Sequence, residues 1–410
     1  MTAGCRVSRP TREPLAVSAP SGTASGPPVP GGRATERADD RFRSEVEFVG
    51  VATLAEKTLL RSSERPVRGG TPPRPMRELA GGSDRAPVLF VVVDTEEEFD
   101  WNAPFSRANT SVTHVRDIGR FQDVCDRFGV RPIYVMDHPI ATTPESIEVF
   151  SGLHRERRAE IGCHLHTWVN PPFTEEVSAI NSYQTNLPEG LEREKLTVLT
   201  AEIEKNFGAR PRIHKAGRYG FGAGTLAILR DLGYEIDTSY APGFDLGDDG
   251  GPDYLHASPG PSWLDRPGGL LELPATSGLV GALDRWGPDL FPFISGPTAE
   301  RLKLPAVASR ARLLERVRLT PEGHTLAEMI RLTRGLRRRG VDTFTLTLHS
   351  PSVKPGCTPY VRDRTDLTGF LESIEGFLAF FQQELQGVFM SPFEFRSKAM
   401  QDAGEAGVTP

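Results

Sequence analysis

Cysteine is scarce in this chain, with four among 410 residues, and no two of them form a Cys-x-x-Cys pair. Such scattered thiols provide neither a disulfide framework nor a thiolate zinc site. Long apolar runs are missing too, since no run of about eighteen apolar residues occurs, and we therefore predict no transmembrane helix. The first residues also lack the continuous apolar core of a secretory signal, so we expect a cytoplasmic protein.

Concentrated positive charge is absent from most of the chain. Residues 86–410 carry 34 Lys and Arg against 44 Asp and Glu. Proteins that bind nucleic acid need clustered positive charge, because their partner is a chain of phosphates. The charge balance therefore argues against nucleic acid as the main partner.

The first 85 residues differ in composition from the rest. They are rich in Pro, Gly, Ser and Arg, as in the segments 20–32 and 68–75. Such a composition buries too little apolar surface to offset the entropy lost on ordering. We predict a disordered extension over residues 1–85, one domain over 86–395 and a flexible tail over 396–410.

The predicted domain alternates strand-like and helix-like segments. An apolar strand at 88–94 opens it, a helix at 191–208 should stop at Gly208, and a striped helix at 366–386 should close it. Strands separated by helices of this length indicate βαβ units and a parallel sheet or barrel. We interpret residues 241–310, rich in Pro and Gly, as elaborated loops over the site.

The segment VLFVVVDTEEEFDW, residues 88–101, holds the most informative pattern. A buried strand runs directly into five acidic residues, and parallel sheets place their ligands at the carboxyl ends of strands. Asp94 and Glu96 share one face of an extended chain, whereas Glu97 should point away. The alternative is a solvated acidic loop that caps a helix.

Histidines follow two other predicted strands. His164 and His166 are two residues apart, so both imidazoles should project to one face. Two imidazoles with a carboxylate from Asp94 or Glu96 suit a divalent ion: zinc first, with cobalt, nickel or iron as alternatives. His349 ends a further strand and could protonate a leaving group; the alternative is a structural strand-end histidine.

Four segments resemble the motifs of a known family. DTE, EIGCHLH, KAGRYG and LTLHS occur in this order and resemble the NodB-homology polysaccharide deacetylases, a group of carbohydrate esterases. The stretches DTEEEFDW, HLHTWVNPP and HSPS resemble its divergent WalW-like branch. The resemblance covers most of residues 86–395 and implies an α/β fold, a deformed (β/α) barrel, with a disordered N-terminal extension.

The resemblance also implies roles for individual residues. Asp94 would be the general base and Glu96 the carboxylate ligand of the metal. His164 and His166 would be its imidazole ligands, and His349 would be the general acid. The division of labour between Asp94 and Glu96 stays open, because the family commonly has adjacent aspartates where this chain has Asp-Thr-Glu.

Further residues are implied around this group. Either Lys215 or Arg218 would orient the base. Trp101, Trp168 and Tyr219 would contact the sugar, since aromatic faces stack on pyranose rings. The family's second metal histidine is replaced here by Trp168, and the two histidines of this chain stand closer together than in the family pattern.

The resemblance, together with these residues, implies a metal-dependent hydrolase that removes acetyl groups from a carbohydrate, with an N-acetyl group as first choice and an O-acetyl group as second. One alternative is a catalytically silent barrel that binds a glycan or a partner enzyme. Another is a glycosidase that uses paired carboxylates such as Asp94 and Glu98. The glycosidase would leave His164, His166 and His349 without a role.

Overall fold

The protein is described here by a computed structural model. The structure describes residues 72–82, 84–283, 286–294, 296, 299, 301, 304, 307–308, 311 and 313–405. Most of the predicted disordered extension, residues 1–71, lies outside the described part of the chain.

One mixed sheet organises the described residues, and a separate two-stranded antiparallel sheet lies beside it. The main sheet has the order β1-β7-β8-β6-β5-β4-β3-β2-β11, and β12 also pairs with β2. Pairing is parallel from β8 to β11 and antiparallel where β7 joins β1 and β8. The strands are β1 (Arg77–Glu78), β2 (Val88–Thr95), β3 (Ile133–Met136), β4 (Glu160–Leu165), β5 (Ile213–Ala216), β6 (Ile236–Asp237), β7 (Ser262–Trp263), β8 (Leu271–Glu272), β9 (Ser277–Val280), β10 (Glu315–Arg318), β11 (Thr343–His349) and β12 (Val388–Phe389).

Helices connect the parallel strands, as βαβ units require. The prediction for the longest helix is confirmed: it ends at Phe207, and Gly208 caps it in the left-handed conformation with φ of 74°. The helices are α1 (Gly119–Arg127), α2 (His138–Thr142), α3 (Pro144–Arg155), α4 (Glu189–Phe207), α5 (Ala223–Leu232), α6 (Gly287–Ile294), α7 (Leu326–Arg338), α8 (Arg364–Ala379) and α9 (Pro392–Glu405).

The two faces of β2 bury their side chains in different cores. Leu89, Val91 and Val93 pack in the cluster that contains the helices, whereas Phe90 and Val92 belong to a second cluster built from strand residues and α9. Every residue of β2 is buried, as a strand covered on both faces must be. The predicted α/β fold, a deformed (β/α) barrel, is confirmed. Two strands share the pairing with β2: β3 pairs with residues 92–95, and β12 pairs with residues 88–89.

The structure departs from the predicted boundaries in three segments of the chain. β1 lies within the segment expected to be disordered, and it pairs with β7. α9 runs through the first ten residues of the expected flexible tail. Its Ala399 packs in the second cluster, with Phe90 and Val92 of β2. Burial of this apolar helix face therefore orders the segment. β7, in the segment interpreted as loops, is a member of the main sheet.

Within the residues that the structure describes, none of the helices combines the length and the apolar character needed to cross a bilayer.

Candidate active site

The predicted site residues meet at the carboxyl ends of neighbouring parallel strands. His349 lies opposite Asp94 in the pairing of β11 with β2, and His164 lies opposite Lys215 in the pairing of β4 with β5. Glu96 follows directly after β2. Because parallel strands end at the same edge of a sheet, these side chains share one rim.

Three side chains converge on one point, as the sequence predicted. The Oε2 atom of Glu96 lies 3.6 Å from Nε2 of His164 and 3.4 Å from Nε2 of His166. One ligand atom from each residue lies within 4.8 Å of the other two, and all three residues are buried. Two imidazoles and a carboxylate form a donor set typical of catalytic zinc and related ions.

The second ring nitrogen of each histidine is already engaged. Nδ1 of His164 lies 3.0 Å from the carbonyl oxygen of Lys215, and Nδ1 of His166 lies 2.8 Å from Oε2 of Glu97. Both acceptors require an N–H at Nδ1, which leaves the lone pair of Nε2 directed to the convergence point. Metal-binding histidines are commonly held in this way by a carbonyl or a carboxylate.

Electrostatics also suit a cation at this point. Burial lowers the pKa of His164 well below its usual value and that of His166 to about 4, so both rings are neutral near pH 7. Burial and the neighbouring carboxylates, Glu97 first, raise the pKa of Glu96 well above its usual range. Oε1 of Glu96 has no hydrogen-bond partner among the described residues. A buried carboxylate with an orphaned oxygen fits a metal ion.

A second set of possible ligands, Glu97, Asp137 and His166, adjoins the first. Its atoms are largely occupied by hydrogen bonds within the protein. Oε1 of Glu97 accepts a bond of 2.7 Å from the indole of Trp168, and the two oxygens of Asp137 accept from the backbone N–H groups of Glu97 and Ile140. This set therefore supports the first rather than offering an independent site.

The prediction that Glu97 points away from the chemistry was incomplete. Its side chain is fully buried, and its Oε2 lies 2.8 Å from Nδ1 of His166. Alternation along an extended strand could not show that a histidine of another strand would reach this carboxylate.

Trp168 corrects a second expectation. Its side chain is buried, so it cannot serve as a platform for a sugar ring in this conformation. The indole instead stacks on the imidazole of His166 with ring centroids 4.3 Å apart. Trp168 thus packs against His166 and donates a hydrogen bond to Glu97.

The carboxylate of Asp94 is paired with Lys215. Both oxygens lie 2.6 Å from Nζ of Lys215, and both side chains are buried. Burial raises the pKa of Asp94, but the charge and hydrogen bonds of Lys215 act in the opposite direction, and the pKa of Asp94 is lowered overall. Burial lowers the pKa of Lys215, but the nearby charge of Asp94 raises it, and the pKa of Lys215 is raised overall. The pair therefore stays ionised.

Arg218, the alternative partner of the base, lies elsewhere. Its guanidinium bonds Ser182 at 2.6 Å and Asp249 at 3.4 Å. Arg218 and Tyr219 both have positive φ, 52° and 61°, in the turn after β5. This turn directs Arg218 away from Asp94, so the expectation that Arg218 orients the base is corrected in favour of Lys215.

Tyr219 remains next to the site, as predicted, but is buried. Its ring lies 5.1 Å from Nζ of Lys215, within the range of a cation–π contact. A role in contacting the substrate stays a prediction for Tyr219.

His349 is held by an acid that the sequence did not reveal. Its Nδ1 lies 2.7 Å from Oε2 of Glu322, and its backbone N–H donates to the other oxygen of that carboxylate. Nε2 of His349 then faces the base, 3.7 Å from Oδ2 of Asp94. Glu322 lies in the loop after β10, and no periodicity or motif in that loop indicated its role.

Trp101 lies beside the histidine, as a predicted substrate residue should. Its ring centroid is 4.8 Å from that of His349 and 5.6 Å from that of Tyr360, both in edge-to-face geometry. The side chain is partly exposed. Of the predicted aromatic residues, Trp101 offers the most accessible face to a ligand.

Comparisons with known proteins gave structural matches only. No family model matches the chain, and no curated protein does so at the threshold applied. A structure from Mycobacterium smegmatis assigned as a polysaccharide deacetylase is similar at 18% identity and a TM-score of 0.44, covering 83% of this chain and 96% of the other.

Two further solved structures show the range of proteins matched. Puue allantoinase is 14% identical with a TM-score of 0.43, over 82% of this chain and 96% of its own. A wild-type CE4-family pseudoenzyme from Bacillus anthracis is 10% identical with a TM-score of 0.36, over 76% and 66%. The matches thus include both assigned deacetylases and a pseudoenzyme, and activity has to be argued from this chain's own residues.

Proposed function

We propose that the protein is a metal-dependent hydrolase that removes N-acetyl groups from a carbohydrate. The observation that carries the proposal is the convergence of Glu96, His164 and His166 beside an ion-paired aspartate and a carboxylate-held histidine. These proposed ligands, base and acid lie at one strand-end rim, and this arrangement supports metal-assisted hydrolysis.

Glu96, His164 and His166 would hold the ion, with Nε2 of each imidazole as the donor atom. A divalent ion bound there supplies Lewis-acid polarisation of a carbonyl oxygen and lowers the pKa of water. Zinc fits this donor set, and cobalt, nickel and iron remain alternatives.

Asp94 is proposed as the general base. It stays ionised because Lys215 holds both of its oxygens, and it faces the site from the inner surface of β2. Glu96, by contrast, contacts the two ligand histidines and lies in no ion pair with Lys215 among the described contacts. The geometry therefore supports Asp94 as base and Glu96 as ligand. Asp94 would accept a proton from the attacking water while the water oxygen forms its bond to the acetyl carbon.

His349 is proposed as the general acid. Its Nδ1 is fixed by Glu322, so Nε2 can carry and release a proton on the side that faces Asp94. When the bond between the acetyl carbon and the sugar nitrogen breaks, Nε2 would protonate that nitrogen, leaving a free amine and acetate. The carboxylate of Glu322 would stabilise the imidazolium during the cycle.

The glycosidase alternative is not supported by the geometry. Glu98 accepts hydrogen bonds from the backbone of His114 and from the hydroxyls of Ser111 and Thr113. Burial raises the pKa of Glu98, but the hydrogen bond from the His114 ring, together with those from Ser111 and Thr113, lowers it overall. The acid of a glycosidase instead needs a raised pKa.

Acetate release from N-acetylglucosamine oligomers tests the proposal. The protein is stripped of metal, reloaded with zinc or cobalt, and compared with Asp94→Asn, which keeps the ligand set. We expect metal-dependent acetate release that falls by about 10²- to 10⁴-fold in the variant, the usual range for loss of a general base.

Two other outcomes would contradict this proposal. Release of acetate only from O-acetylated xylan would correct the substrate class. Binding of the oligomers without acetate release under any metal would support the silent glycan-binding alternative.

A further inference from the structure

We propose that Glu98, His114 and Ser350 form a positioning relay, named here the Ser350 relay, that fixes the backbone of Glu96. This inference deepens the proposed function and rests on it for the role of Glu96 as ligand. The relay lies beside the ligand group but contributes no atom to it.

The relay is a continuous chain of hydrogen bonds. Nδ1 of His114 lies 3.1 Å from Oε1 of Glu98, and its Nε2 lies 2.7 Å from Oγ of Ser350. The backbone N–H of Glu96 donates to the same hydroxyl oxygen over 3.2 Å. His114 and Ser350 have no exposed surface, so solvent does not compete for the two bonds at the Ser350 hydroxyl, whereas Glu98 is partly exposed.

The donors and acceptors fit only one direction. Glu98 already accepts the backbone N–H of His114 and the hydroxyls of Ser111 and Thr113. A carboxylate with these partners accepts only, so Nδ1–H of His114 must donate to it. With the ring proton on Nδ1 of a neutral imidazole, Nε2 of His114 is an acceptor, and the hydroxyl of Ser350 donates to it while accepting from the N–H of Glu96. Each polar side-chain atom of Glu98, His114 and Ser350 then has a hydrogen-bond partner.

The arrangement of Ser350, His114 and Glu98 resembles a nucleophilic triad in its contacts. Two observations argue against attack by this serine. Its side chain is fully buried, and its oxygen is engaged by the N–H of Glu96. The geometry therefore favours positioning, and covalent reactivity becomes an outcome that the test can reveal.

The location of the relay explains what it positions. The backbone ladder between β2 and β11 reaches Asp94 opposite His349. One residue later, Ser350 offers its side-chain oxygen to the N–H of Glu96, two residues beyond Asp94. The hydroxyl thus continues the connection between the two strand ends past the last backbone pair. It fixes the metal carboxylate relative to the strand that carries the acid His349.

Hydrogen exchange in the metal-free protein tests the relay without reference to activity. Ser350→Ala removes the acceptor of the Glu96 amide, and that amide should exchange about tenfold faster. Ser350→Thr keeps a hydroxyl and should restore protection. Ser397→Ala, an exposed serine of α9 that bonds only within its helix, is the matched control. Unchanged exchange at Glu96 in Ser350→Ala would overturn the relay, whether or not the protein binds metal.

Zinc affinity, measured by chelator competition, tests the consequence for the site. Ser350→Ala should weaken binding by about 10- to 100-fold, the usual effect of losing a support of a ligand, and Ser350→Thr should recover most of it. Affinity within twofold of the parent in Ser350→Ala would overturn the positioning role. Absence of zinc binding in the parent protein would instead refute the proposed function. The relay itself is tested separately, because the exchange measurement uses metal-free protein.

A pair of substitutions at His114 keeps the test open if the serine variants fold poorly. His114→Gln can still present an acceptor to Ser350, whereas His114→Leu cannot. We expect zinc affinity to fall more in His114→Leu than in His114→Gln, and equal affinities would count against the relay. Labelling of the parent by a fluorophosphonate, lost in Ser350→Ala, would overturn positioning in favour of a nucleophilic serine.

Discussion

The metal side and the proton-transfer side of the site are built on different electrostatic principles. On the metal side, Glu96 contacts two imidazoles whose pKa values are lowered by burial, and among the described residues no lysine or arginine lies within ion-pair distance of it. On the proton-transfer side, Asp94 is already paired with a lysine whose own pKa is raised. One side lacks the positive charge that the other side already contains.

This difference assigns the two carboxylates. A buried anion without a counter-charge is costly, and the ligand group is where an added cation gains most. Asp94 is neutralised in advance by Lys215, so it gains less from a metal and can instead exchange protons. The residue spacing alone left these two roles interchangeable, and the difference between their surroundings favours one assignment.

The largest expected effect is a loss of zinc affinity when the carboxylate ligand on the metal side is replaced. Glu96→Gln should weaken zinc affinity by more than about 100-fold, beyond the range found for supporting residues, because a neutral amide cannot replace the only anionic ligand of the group. Asp94→Asn should leave zinc affinity within about threefold while abolishing most activity. Chelator competition and acetate release separate the two. Loss of zinc affinity in Asp94→Asn with retention in Glu96→Gln would reverse the assignment.

The proton-transfer side is tested by removing its lysine. In Lys215→Met, burial still raises the pKa of Asp94 while its largest compensating charge is gone. The pKa of Asp94 should therefore rise, and the acidic limb of the kcat/KM profile should move to higher pH, with loss of activity growing as pH falls. The profile of zinc-loaded enzyme measures this shift. Lys215→Arg, which keeps the charge, is the control, and an unmoved acidic limb in Lys215→Met would contradict the role of Asp94.

A smaller effect is expected from a support on the metal side. Glu97→Gln replaces the carboxylate that fixes Nδ1 of His166, and Gln can accept only through its single carbonyl oxygen. Zinc affinity should fall by about tenfold, the lower end for such supports, with little change in kcat once zinc saturates the site. A fall in kcat at saturating zinc, with affinity unchanged, would place Glu97 on the proton-transfer side instead.

The sequence predicted those parts of the fold and site that follow local patterns. The strand beginning at Val88 shows a run of apolar residues, and the helix ending before Gly208 shows a helical repeat with a stop signal. The residues at strand ends, from Asp94 to His349, could be found because the apolar pattern stops there. Their convergence then follows from parallel pairing.

The supports could not be found in this way, because they depend on contacts between distant segments. Glu322 is 27 residues from His349, and Ser350 is 236 residues from His114. The choice between Lys215 and Arg218 depended on register and turn geometry: Lys215 lies in β5 opposite His164, whereas Arg218 lies in a turn with positive φ. Neither feature has a local sequence signal.

Anomalous diffraction from crystals of the zinc-loaded protein tests the central claim most directly, since it locates the ion without reference to activity. We predict one strong zinc peak about 2.0–2.2 Å from Nε2 of His164, Nε2 of His166 and a carboxylate oxygen of Glu96. A peak among Glu97, Asp137 and His166, or none at this rim in protein shown to contain zinc, would contradict the account.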